Sequence, residues 1–255
     1  MTLTATEIET FVRDGYVAVR GAVDRASIEE CRRQLWDLMP EDPSDPSTWT
    51  EPVRRIDSPV TAPFMRAAQS SALTEAYDQL VGPSRWRQRV ELGNVAIRFP
   101  TGGESNDTGW HIDASYLPPG ASRYFVNVSS RDRGLLMLFL LSDVSADDAP
   151  TRLKVGSHQD VPRFLAPRGD DGVDMFELCG VMDADGALDS PDRAEALATG
   201  IAGDVFLCHP FLVHAAQSHR GRQPRFLSQP GLMLTDQFDL GNPRSPVERA
   251  IVASL

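Results

Sequence analysis

The sequence predicts a mainly β fold, a sandwich or barrel with flanking helices, built as one domain. Three observations predict it. From Gly93 onward, short apolar runs recur, each parted from the next by Gly, Pro or Asp. Ahead of Leu80 the apolar spacing is helical instead. A chain of 255 residues also suits a single β unit, residues 1–255, with a substantial core.

The elements follow in order. Thr4 and Glu7 stand at capping-box spacing, and Ile8, Phe11 and Val12 keep a helical period until Gly15 ends it. Residues 16–19 read as a short strand. Asp24 then caps a second helix carrying Ile28, Cys31, Leu35 and Leu38 on one face. Residues 40–63, rich in Pro, Asp and Ser, read as a loop, and a third helix covers 61–80, so residues 1–80 form a mostly helical flank. Strands are expected over 95–99, 124–128, 135–141, 205–208 and 226–234, inside a β core spanning 90–240. The acidic stretch 167–193, part of an insertion reaching residue 200, is broken by Gly and Pro and reads as a surface loop with one short strand. Long loops in compact domains are often functional lids.

Composition narrows the function classes. Apolar residues make up 41% and charged residues 24%, the profile of an ordinary folded domain. A net charge of −11 with lysine almost absent opposes nucleic-acid binding, which depends on clustered Lys and Arg. The short Arg run 85–89 around Trp86 suits a solvated face. Cys31, Cys179 and Cys208 are odd in number and far apart, fitting neither a disulfide framework nor a metal knuckle, so a reducing cytoplasm is expected. The longest apolar stretch, 135–141, is too short for a bilayer, and residues 1–10 lack an export signal. The expected partner is a small molecule.

The chemistry concentrates around Trp110-His111-Ile112-Asp113. On a strand, residues two apart face the same way, so His111 and Asp113 present an imidazole and a carboxylate together. A second imidazole would complete a 2-His-1-carboxylate set that holds Fe(II) and leaves one face open. The pair alone is weak evidence, because a surface His beside an Asp is common. His158, His209, His214 and His219 compete for the third position. A hairpin pairing His214 with Arg225 would centre its turn at His219 and Arg220, next to Gly221, whereas His209 precedes Pro210 and offers no such turn. In that arrangement Arg225 faces a carboxylate lying beyond the metal, and a 2-keto dicarboxylate, 2-oxoglutarate, would bridge the two. Arg225 by itself would equally suit a surface ion pair.

These segments together resemble the phytanoyl-CoA dioxygenase family of 2-oxoglutarate-dependent oxygenases. Phe11-Val12-Arg13-Asp14-Gly15-Tyr16-Val17 looks like the family's opening helix and Asp-Gly-Tyr turn, and Trp110 to Asp113 like its Trp-His-x-Asp. Leu141-Ser142-Asp143-Val144-Ser145, Gly156-Ser157-His158, Gly203-Asp204, and His209-Pro210-Phe211-Leu212-Val213-His214 follow in the family's order, with Arg225 eleven positions after His214. The resemblance implies a double-stranded β-helix, the jelly roll of cupin-like proteins. It implies His111, Asp113 and His214 as Fe(II) ligands, Arg225 on 2-oxoglutarate, and O2 as the second co-substrate. Substrate oxidation, most simply hydroxylation, would release succinate and CO2. The retained Asp113 favours this over halogenation. Ala216 departs from the small hydroxyl residue often found two positions after the distal His, Val155 from a Pro, and Ala149-Pro150 from a Gly.

Further candidates are Arg98, able to reach 2-oxoglutarate from inside the barrel, and Arg152, Trp110 and Tyr116 as substrate contacts. His158 suits a loop-organising donor. Loops 40–63, 101–108 and 167–193 are expected to choose the substrate. A metal-binding cupin used as an isomerase or sensor without 2-oxoglutarate is the alternative, and it has no need of Arg225.

Overall fold

The capping box at Thr4 starts the chain's first element. In the computed structural model, which describes every residue except Met1 and Glu104, the Thr4 hydroxyl accepts from the Glu7 N–H while the Glu7 carboxylate accepts from the Thr4 N–H. This begins α1 (Ala5–Asp14), and Gly15, in the left-handed region at φ 85°, ends it. β1 (Tyr16–Val19) leads to α2 (Arg25–Asp37), whose N-cap Asp24 accepts from the Ser27 N–H. Ile28, Cys31 and Leu35 are buried as their spacing predicts. Leu38 is instead the helix C-cap and 56% exposed, because the apolar stripe stops one turn earlier.

Residues 40–63 contain a strand, β2 (Val53–Asp57), which the loop-like composition conceals. It forms one edge of the large sheet, and charged residues such as Arg54, Arg55 and Asp57 are what an edge strand carries. The helix expected over 61–80 is two helices, α3 (Ala62–Ala68) and α4 (Ser71–Leu80). They part at Gln69 and Ser70, where the Ser70 hydroxyl donates to the Ala22 carbonyl.

The β region then runs β3 (Asn94–Arg98), β4 (Phe125–Val126), β5 (Arg133–Leu140), β6 (Arg152–Lys154), the single turn α5 (Pro162–Leu165), β7 (Val173–Asp174), α6 (Met175–Ala184), β8 (Glu195–Leu197), β9 (Val205–Cys208), β10 (His214–Ala215), β11 (Arg225–Ser228), β12 (Gly231–Met233) and α7 (Pro246–Val252). The large sheet has the order β1-β9-β5-β11-β3-β2, with β12 also on β5. A smaller sheet has the order β10-β6-β8. All pairings are antiparallel, and the two sheets make an unclosed jelly roll.

Three expectations change here. The run 226–234 is two strands parted at Gln229 and Pro230, since proline has no N–H for a ladder. The run 124–128 shrinks to β4, which pairs with β7 outside the main sheet. The insertion 167–193 holds the ten-residue helix α6, capped by Asp174 through the Phe176 and Glu177 N–H groups. Its apolar residues lie nearly all round the helix, so no stripe announces it.

Two cores result. On β5, Leu135, Met137 and Phe139 face the helices, while Leu136, Leu138 and Leu140 face the smaller sheet's Leu153. Burial on both faces explains the unbroken apolar run in the sequence. All three cysteines are free, and no described helix is long and apolar enough to cross a membrane.

Candidate metal centre

His111 and His214 exchange both backbone hydrogen bonds, at 3.0 and 2.9 Å, in an isolated antiparallel bridge. The HxD segment is therefore held by one bridge rather than lying in a strand as its spacing suggests. The alternation survives: Ile112 enters the helix-side core, and His111 and Asp113 turn to the other face. One metal-ligating atom from each of His111, Asp113 and His214 lies within 4.8 Å of the others.

The protonation states suit a cation. His111 Nδ1–H donates to the Gly109 carbonyl at 2.9 Å and His214 Nδ1–H to the Leu212 carbonyl at 3.0 Å. Each bond fixes the tautomer and leaves the Nε2 lone pair free. Burial, then the charge of His111, pulls the His214 pKa down to about 4, so the ring is neutral at physiological pH. Burial would raise the Asp113 pKa, but Arg133 and the two imidazoles outweigh it and hold it at about 2. Two imidazoles, each presenting Nε2, and one carboxylate are the donor set that fits Fe(II).

The hairpin expected from His214 to Arg225 does not form. β10 joins the small sheet, opposite β6, and β11 the large one, so residues 216–224 cross between sheets. His219 organises that crossing: its Nδ1 accepts from the Gly221 N–H at 3.0 Å and its Nε2–H donates to the Gln223 carbonyl at 2.8 Å.

Arg225 nonetheless faces the interior. It pairs with Arg98 across β11 and β3, and both are buried, at 3% and 2% exposure. Arg98 donates to Asp107 at 2.6 Å and to the Ser105 hydroxyl at 2.7 Å, and Arg55 reaches the same Asp107 at 2.5 Å. Arg225 has no acid partner among the described residues, and its Nε is buried without a hydrogen bond. Burial, then the charge of Arg98, draws its pKa down to about 9, which leaves it a cation at neutral pH.

A cavity of about 270 Å³ opens on the three candidate ligands, lined also by Arg55, Asn94, Asp107, Ala216 and Gln229; Arg225 and Arg98 are not among its lining residues. Every lining residue except Ala216 carries a polar side chain, and the walls present polar and apolar surface in comparable shares. Of the three loops expected to choose the substrate, 40–63 contributes Arg55 and 101–108 contributes Asp107; 167–193 supplies none of these lining residues. Arg55 went unread in the sequence because β2 was hidden, and Asn94 and Gln229 because nothing marks a lone amide at a strand end.

The other candidates surround the centre. Trp110 lies under both Arg152 (4.4 Å) and Lys154 (4.6 Å), and Arg152 also donates to the Thr108 carbonyl at 3.0 Å, which ties the HxD segment to β6. The Tyr116 hydroxyl donates to the Asp171 carbonyl at 2.6 Å with Arg131 over its ring. None of Trp110, Tyr116 and Arg152 is among the residues lining the cavity. His158 is a loop organiser, its Nε2–H donating to the Val12 carbonyl at 3.0 Å.

Comparison with known proteins agrees with this architecture. The sequence profile of the phytanoyl-CoA dioxygenase family matches residues 11–227. No curated protein matches the sequence significantly. Among solved structures, the chain resembles SnoK, a non-haem α-ketoglutarate-dependent carbocyclase from nogalamycin biosynthesis (TM-score 0.62, 16% identity, covering 92% of this chain and 85% of that one). It also resembles the epimerase SnoN in complex with Fe3+, α-ketoglutarate and nogalamycin RO (TM-score 0.59, 19% identity, 91% and 82% covered). A third is HygX from Streptomyces hygroscopicus with nickel, 2-oxoglutarate and hygromycin B bound (TM-score 0.57, 20% identity, 91% and 88% covered). At such identities the likeness is one of fold.

Proposed function

The chain belongs to the phytanoyl-CoA dioxygenase family, and from that premise we propose that it is a non-haem Fe(II)- and 2-oxoglutarate-dependent dioxygenase that hydroxylates a small-molecule metabolite. His111, Asp113 and His214 hold the iron in this reading, and Arg225 holds the far carboxylate of 2-oxoglutarate.

The observation that carries the reading is the pairing of a ready donor set with Arg225, a buried cation that has no acid partner among the described residues. A buried guanidinium without an acid is costly unless something supplies the acid. A dicarboxylate chelating the metal through its keto-acid end brings the missing charge to Arg225, in bidentate geometry. Arg98, which shares the single Asp107 carboxylate with Arg55, adds positive potential beside it and stands in for the hydroxyl that Ala216 lacks. Bound there, the iron would let dioxygen serve as the oxidant of keto acid and substrate together, one oxygen atom passing to succinate as CO2 leaves and the other to the hydroxylated product.

The chain's own residues do the rest. The carbonyls of Gly109 and Leu212 orient the two imidazoles. Arg152 and Lys154 hold Trp110, and with it the HxD segment, against the small sheet. Arg55, Asn94 and Gln229 give a substrate hydrogen-bonding partners on a wall that also presents apolar surface. Those partners and the small cavity favour a compact substrate carrying polar groups.

The test is succinate release from 2-oxoglutarate by the Fe(II)-loaded protein. The reading expects release that disappears in His111→Ala. Iron uptake without any succinate release would contradict it.

A further inference from the structure

Arg133 carries an inference that the sequence did not suggest. β12 pairs with β5 as Gly231 with Leu136 and Leu232 with Leu135, but Met233 then pairs with Arg133. Gly134 is the residue left over, so β5 begins with a bulge. Leu136, Leu138 and Leu140 face the inner core, and without the bulge Arg133 would face the helices with Leu135. The extra residue turns it inward, as bulges commonly re-aim a side chain.

There, Arg133 Nη1 lies 2.7 Å from Asp113 Oδ2 in an ion pair that lacks hydrogen-bond geometry, with the guanidinium only 18% exposed. Room for it exists because residue 231 is glycine: a Cβ there would meet Arg133 Nε at 3.1 Å and Cζ at 3.4 Å. Two backbone features, the bulge and the glycine, thus converge on placing one cation against one oxygen of a candidate metal ligand.

We propose that Arg133 is a positioning residue that makes Asp113 a one-oxygen ligand, claiming Oδ2 so that only Oδ1 remains for the metal. This rests on the metal reading given above. Three protein donors would leave open positions on the metal for the keto acid and dioxygen. A carboxylate free to bind through both oxygens would take up part of that space. A guanidinium, always charged and rigid, prevents that swing in a way a neutral donor would not.

The sign of the effect separates this role from an ordinary supporting one. A hydrogen-bonded partner of a metal ligand usually strengthens the site, and losing it weakens metal binding by 10–100-fold. Arg133 is a cation competing for the ligand, so its removal should do the reverse.

The experiment titrates Co(II) into metal-free protein and then 2-oxoglutarate into the Co(II)-loaded form, for wild type, Arg133→Gln, Arg133→Lys, Gly231→Ala and His214→Ala. The expectation for Arg133→Gln is Co(II) binding about tenfold tighter together with 2-oxoglutarate binding about tenfold weaker, the scale set by other outer-shell changes. Arg133→Lys, which keeps the charge, should stay near wild type. Gly231→Ala, which crowds the guanidinium without removing it, should shift both affinities in the same directions by less, and it serves should Arg133→Gln fail to fold. Co(II) and 2-oxoglutarate affinities that fall together, or neither moving, would overturn the role. Wild type taking up no Co(II), or His214→Ala taking up as much as wild type, would instead overturn the metal reading and this inference with it.

Discussion

Arg225 and Arg98 stand directly opposite each other across two neighbouring strands, both buried, and only Arg98 has an acid among the described residues. The free protein therefore holds a like-charge pair in its interior that a carboxylate ligand would relieve.

From this follows a prediction for Arg225→Met. Exchanging an unpaired buried charge for an apolar side chain should stabilise the ligand-free protein by about 1 kcal/mol or more. The same change should raise the KM for 2-oxoglutarate by at least ~30-fold, since losing one partner of a buried charge pair costs ~2 kcal/mol at the low end. Thermal melting of the ligand-free proteins reads the first effect, and succinate release against 2-oxoglutarate concentration reads the second. A variant less stable than wild type, with an unchanged KM, would show that Arg225 is structural.

The Asp-Gly-Tyr turn and the Gly-Ser-His loop are one joint. The Gly156 N–H donates to the Asp14 carbonyl at 2.8 Å, and a Cβ on Gly15 would fall 2.5 Å from His158 Nδ1 and 2.8 Å from Leu212 Cδ1. With φ at 85° as well, Gly15→Ala should cost ~2 kcal/mol or more through strain and overlap. Urea unfolding checks it, and a midpoint equal to wild type would refute the fit.

Acid should weaken the fold through His158. Burial holds its pKa at about 4, against about 6.5 for an exposed histidine. The unfolded chain thus binds the proton first: a penalty appears as pH falls below about 6.5 and saturates below 4, at roughly 3 kcal/mol. Glu248 adds to this at lower pH. Burial would raise its pKa, but Arg85 and nearby backbone N–H groups hold it at about 2, so its stabilisation is lost as pH drops from 4.5 toward 2. Denaturation midpoints of wild type and His158→Gln between pH 7 and 4 should show the smaller acid loss in the variant. Equal slopes would exclude His158 as the cause.

The clustering of His111, Asp113 and His214 was legible in the sequence because its cues are local. His111 and Asp113 sit two apart, and the chain order around His214 matches a family pattern. The opening helix was legible through its capping box. The route to Arg225 was misread: the hairpin argument paired it with His214, whereas its partner is Arg98 and the histidine's strand lies in another sheet. Arg55 and Arg133 were invisible for a related reason. One depends on an edge strand with few apolar residues and the other on a bulge, and both features arise from long-range pairing that periodicity does not record.

The most direct test of the metal reading is an anomalous difference map at the iron edge, from crystals grown without oxygen in the presence of Fe(II) and 2-oxoglutarate. It should show one peak within bonding distance of His111 Nε2, His214 Nε2 and an Asp113 oxygen, with the keto acid extending from it to the Arg225 guanidinium. A peak elsewhere, or His214 turned away from the ion, would contradict the assignment.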